Sequence, residues 1–96
     1  MEFLLKNVTE DTVGEPISNT FGSPRNLFIS GDLGGGSFTM EGSIDDGITW
    51  VSIPKNGVPF VATAPGIYSF DYLGGGPIYR GTLAGSVNPD LTVALC

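Results

Sequence analysis

The chain reads as all-β: a compact antiparallel β-sandwich or jelly-roll-like barrel of about seven or eight strands, preceded by an extended N-terminal arm. Three observations predict this. Short apolar or alternating runs recur at intervals of roughly 8–12 residues, each bounded by turn formers. The 15 glycines and 7 prolines supply the tight turns that many short strands require. No window sustains a 3.6-residue period without Gly, Pro or β-branched residues breaking it. At 96 residues there is room for a single core.

In order along the chain, Phe3–Val8 reads as a short strand, followed by the acidic, turn-rich Thr9–Pro16 and a punctuated stretch to Pro24. Residues 1–24 are therefore predicted to be an arm, and 25–96 the sandwich. Asn26–Gly31 is a short apolar run suited to a buried strand, and Asp32–Gly36 a loop. Ser37–Ser43 alternates, which predicts Phe38, Met40 and Ile44 on one face and Thr39 and Glu41 on the other. Thr49–Ile53 is the return strand, Pro54–Gly57 a turn and Val58–Thr63 the next strand. Ile67–Leu73 alternates again, grouping Tyr68, Phe70 and Tyr72 opposite Ser69 and Asp71. Ile78–Ala84 and Leu91–Leu95 close the chain. Leu33-Gly34-Gly35-Gly36 recurs as Leu73-Gly74-Gly75-Gly76, which predicts two equivalent connections at one end of the body.

Between two of these strands lies Ser43-Ile44-Asp45-Asp46-Gly47-Ile48-Thr49-Trp50, with the pattern S-x-D-x-G-x-T-W. The aspartates Asp45 and Asp46 can accept from backbone N–H groups just ahead of them, closing an Asx-type turn. Gly47 can adopt the positive φ of such a reversal, and Ser43 can lock its start through a side chain-to-backbone bond. Thr49 and Trp50 then resume the strand, the indole serving as an apolar plug. The octet resembles the Asp-box, a hairpin motif of sialidase-type propellers and of several unrelated β folds. That resemblance implies a folding device and not a catalytic site.

The residue inventory excludes much chemistry. Without histidine no Ser-His or Cys-His pair can form, and a lone cysteine, Cys96, leaves neither a zinc site nor an internal disulfide. Glu41 and Asp71 are candidate paired carboxylates, but a body this small has little room for the sheltered cleft that acid–base catalysis needs. The glycine runs lack the lysine of a P-loop, and Asp45/Asp46 lack the spacing and distal glutamate of an EF-hand. The chain is therefore predicted not to be an enzyme, and to carry no cofactor or metal. Ten acidic residues against four basic ones give a formal charge of −6, and no basic stripe exists to neutralise phosphates, so nucleic acid is not an expected partner. No apolar run approaches the ~20 residues of a membrane span, and Phe3-Leu4-Leu5 is too short for a secretion signal; no membrane association is expected.

The arrangement strand, Gly-Gly-Gly, strand, S-x-D-x-G-x-T-W, strand, and later Ala64-Pro65-Gly66-Ile67-Tyr68, resembles small β-rich virion proteins of tailed bacteriophages across residues 22–95. The resemblance implies a capsid cement or decoration protein, assembled in the host cytoplasm and located in the virion. Its implied partners are the major capsid protein or other virion subunits, with further copies of itself in a homo-oligomer, a trimer being favoured. Glu10, Asp11, Glu15, Pro16 and Phe21 of the arm are the expected partner-binding residues. The alternative is a carbohydrate-binding or receptor-binding tail module, for which Tyr68, Phe70, Tyr72 and Tyr79 would form the stacking platform.

Overall fold

A computed structural model describes residues 2–18, 25–55, 57–70 and 78–95. Twelve strand segments lie within them: β1 (Glu2–Val8), β2 (Thr12–Val13), β3 (Ile17–Ser18), β4 (Arg25–Asp32), β5 (Ser37–Ser43), β6 (Val51–Ser52), β7 (Pro54–Lys55), β8 (Val58–Pro59), β9 (Val61–Ala62), β10 (Gly66–Phe70), β11 (Ile78–Ala84) and β12 (Asp90–Leu95). The described residues contain no helix. One sheet has the order β1-β12-β4-β10; the other runs β2-β11-β5-β6, with β3 also on β11 and β9 also on β5. Every pairing is antiparallel. The all-β class and sandwich-like build match the sequence expectation. The segment count is higher because the expected strand 58–63 splits into β8 and β9, Pro54–Lys55 pairs where a turn was expected, and β2 and β3 form within the stretch read as an arm.

Alternation decides which side chains enter the core. Leu27 and Ile29 of β4 and Leu91, Val93 and Leu95 of β12 point inward from the first sheet. They share one cluster with Phe38 and Met40 of β5 and with Tyr79 and Leu83 of β11. Each such side chain contributes about 1.5–3 kcal/mol by leaving water. Phe38 fits because its partner strand carries Gly81: a Cβ there would lie 2.5 Å from the Phe38 ring and 3.2 Å from Leu4 Cβ. The aromatic ring thus rests on bare backbone, and any side chain at 81 would displace it.

Residues 2–18 are extended, as expected, but they are not an appendage to a 25–96 domain. Strand β1 pairs with β12, and both Leu4 and Leu5 are only 3% exposed. Consecutive residues of a regular strand face opposite ways. A register shift between Phe3 and Leu5 breaks that rule and lets both leucines turn inward. The chain then crosses to the other sheet, where Gly14 N–H donates to the Gly81 carbonyl at 2.8 Å, and β2 and β3 lie along β11. The N-terminal segment therefore closes one long side of its own sandwich. Residues 19–24, Phe21 among them, lie outside the described residues, as do Asn56, 71–77 with Asp71, Tyr72 and the second Leu-Gly-Gly-Gly run, and Cys96.

On the opposite side the expected strands 49–53 and 58–63 are interrupted. Ile53 N–H donates to the Met40 carbonyl at 2.9 Å and Phe60 N–H to the Ile53 carbonyl at 3.0 Å. Between those two residues β7 and β8 form a separate small hairpin, pairing Pro54 with Pro59 and Lys55 with Val58. Phe60 then turns back into the core, edge-on to Tyr68 and Phe70 at 5.2 Å between ring centroids in each case.

Leu5→Ala should cost about 2–5 kcal/mol in urea unfolding, as for a core leucine. A side chain on a detachable arm would cost less than about 0.5 kcal/mol, so the measurement separates the two placements.

Candidate interaction surface around the Asp-box hairpin

Strand β5 ends at Ser43 and its hairpin partner β6 begins only at Val51, with Gly42 opposite Val51 and Glu41 opposite Ser52. The octet between them is held by its own side chains. Ser43 Oγ donates to Asp45 Oδ1 at 2.7 Å and accepts from Gly47 N–H at 2.9 Å. Asp45 Oδ1 also accepts from Thr49 N–H at 2.8 Å. The backbone turns through Asp46 at φ 59° and Gly47 at φ 88°. Aspartate tolerates that left-handed conformation, and glycine adopts it freely. Ser43 is buried, the only polar side chain so placed among the described residues, and its hydroxyl has two partners. A buried hydroxyl without partners would cost roughly 1–3 kcal/mol.

Trp50 does not resume the strand and does not plug the core. Its ring packs over the Gly47 backbone, where a Cβ would sit 3.4 Å from the indole. The Arg80 guanidinium lies 4.2 Å from the ring centroid. Arg80 is itself fixed by Glu41, Nε to Oε1 at 3.0 Å, across the β5–β11 pair. A partly exposed ion pair stabilises by no more than about 1 kcal/mol; here its effect is to hold the guanidinium against the indole. Arg80 is thirty residues from Trp50 in sequence, and sequence reading did not anticipate it as a partner.

The hairpin also lines an open groove of about 440 Å³. Gly42 and Tyr79 form its floor, Ile44, Val51, Ile53 and Pro54 its apolar walls, and Asp45, Thr49 and Ser52 its polar rim. Alternation predicts Ile44 on the same face as the buried Phe38 and Met40, but Ile44 is 91% exposed. The ladder stops at Ser43, and the turn carries the next residue out into solvent. Ile48, at the far end of the same turn, is 83% exposed. Two isoleucines are thus displayed on a loop whose backbone is fixed from within.

The remaining sequence candidates are dispersed. Asp11 accepts from Gly85 N–H at 3.1 Å, from Ser86 N–H at 2.9 Å and from the Ser86 hydroxyl. The Ser86 hydroxyl, and after it the Ser86 amide, hold its carboxyl below the ordinary range. Its bonds are therefore made within the chain. Glu10, Glu15 and Pro16 are exposed. Glu41 is engaged by Arg80. Phe70 and Tyr79 are buried, and the Tyr68 hydroxyl donates to the Ala64 carbonyl at 2.8 Å. Phe70 and Tyr79 are thus part of the core and Tyr68 packs against it, so these three do not form an open stacking platform. No cluster of three or more carboxylate, cysteine or histidine side chains could hold a metal among the described residues.

The Thr49 amide first, then the Ser43 and Thr49 hydroxyls, lower the Asp45 pKa from 3.8 to about 2. A carboxyl depressed on folding adds stability above its unfolded pKa and loses it as the pH falls through the folded one. The thermal midpoint should therefore drop as the pH goes from 3.8 toward about 2. Asp45→Asn should be less stable at neutral pH and show a flatter acid limb in the same scans. No protein-family model, curated protein or solved structure matches the chain.

Proposed function

We propose that the chain is a non-enzymatic structural protein that works by adhering to other protein subunits. Its role is that of the capsid cement or decoration proteins whose arrangement of strands and turns it resembles. The observation that carries the reading is the display of Ile44 and Ile48, almost fully exposed, on a turn pinned by Ser43 and Asp45. Neither isoleucine serves the fold in that position. A rigid loop loses little entropy when it binds, so apolar side chains held in advance are efficient anchors. The neighbouring groove, walled by Val51, Ile53 and Pro54, fits an apolar side chain of a partner. Multivalent docking on a repeating surface would make many such modest contacts effective. The arm-based attachment expected from Glu10, Asp11, Glu15 and Pro16 is not part of this proposal, because residues 2–18 are built into the sandwich.

Mass spectrometry of gradient-purified particles from the source culture tests the virion role. The chain should be present in a fixed ratio to the shell subunit; its absence from all particles rejects the reading. In re-addition assays with stripped particles, Ile44→Ser/Ile48→Ser should bind at least about tenfold more weakly than wild type while unfolding at the same urea concentration. Binding to a glycan array at millimolar sugar would instead favour the carbohydrate-binding alternative.

A further inference from the structure

The two edges of the β1-β12-β4-β10 sheet differ in kind. Strand β1 pairs irregularly, with two register shifts, and carries Lys6, whose Nζ lies 5.0 Å from the Phe3 ring centroid. Bulges and lysines are the usual means of preventing one sheet edge from joining another. Strand β10 has neither. It pairs with β4 in unbroken register from Gly66 opposite Ile29 to Phe70 opposite Arg25, and among the described residues it pairs with nothing else. The sequence contains no charged residue between Lys55 and Asp71.

The outward face of this sheet leads to the same edge. Phe3 is opposite Ala94, Ala94 opposite Phe28, and Phe28 opposite Ile67, an apolar row crossing all four strands in register. The row ends at Ile67, which is 63% exposed at the unblunted edge.

We infer that β10 is a self-association edge: two copies of the chain pair antiparallel through β10 about a two-fold axis near Ile67, joining their sheets into one of eight strands. In that register Ile67 faces Ile67 of the second copy, and the apolar row continues from one chain into the next. Charge favours a second copy as the occupant. Chains of formal charge −6 repel one another, least where both contribute uncharged strands, whereas a basic partner would be drawn to the acidic surface elsewhere. An isologous contact also needs only one self-complementary patch. The inference deepens the adhesion reading by naming its homotypic contact, and it uses residues distinct from Ile44 and Ile48. A five-residue strand pair buries less than the ~1,000 Å² of a stable complex, so the contact is weak in isolation and gains from a crowded assembly.

Sedimentation equilibrium at roughly millimolar concentration, where a contact with Kd near 0.1 mM is mostly occupied, should give an average mass approaching twice the 10.0 kDa chain mass. Ile67→Lys sets two like charges opposite each other and should weaken association at least about tenfold. It should leave the unfolding midpoint unchanged. In a Cys96→Ser background, Ile67→Cys should form a disulfide-linked dimer under mild oxidation much faster than Val87→Cys, a comparably exposed control. A monomer at every concentration overturns the inference, as does an oligomer indifferent to Ile67→Lys, or equal cross-linking by the two cysteines. Ile44→Ser/Ile48→Ser should still dimerise, so losing the dimer and losing particle binding are separable results.

Discussion

The Phe38 ring lying on the bare backbone of Gly81 is the contact on which the rest of this fold depends. It lies on the β5–β11 ladder, and a side chain at 81 would also meet Leu4 of the other sheet. Gly14, bonded to the Gly81 carbonyl, brings the N-terminal segment over the same point. Three parts of the chain thus meet where one residue lacks a side chain. Close packing leaves no slack there, since interiors filled to crystal-like density transmit any added atom to their neighbours. The N-terminal strand is consequently part of the core that the other sheet packs against.

How much of this could be read in advance follows from how local each determinant is. The Asp-box turn was legible because its donors and acceptors all lie within seven residues, from Ser43 to Thr49. The inward faces of β5 and β12 were legible because Phe38/Met40 and Leu91/Val93/Leu95 keep a strict period of two. Leu4 and Leu5 break that period by being adjacent, so β1 reads as irregular until the register shift that accommodates both is seen. Ile44 continues the alternation of β5, yet alternation does not say where a ladder ends. The groove was not legible because its floor, Gly42 and Tyr79, comes from strands 37 residues apart that meet only after both sheets form.

The molecule is also lopsided in how it treats its sides. One long side is sealed by its own N-terminal segment, with Asp11 clamped to Gly85 and Ser86. The other carries the short strands β6 to β9, the uncharged stretch after Lys55 and exposed aliphatic side chains such as Val51, Val58, Val61 and Ile67. A fold that spends backbone and charge to protect one flank and leaves the other apolar has a direction.

The small β7–β8 hairpin has a practical consequence. Its neck is closed by the Phe60-to-Ile53 bond and anchored to Met40, while nothing lies within 4 Å of where a Cβ on Gly57 would be. Lengthening a loop whose ends are already fixed costs only about 0.6 kcal/mol per doubling. The tip at Gly57 is therefore a natural splice point, where a foreign epitope or fluorophore-binding peptide could be carried without the two sheets being rebuilt.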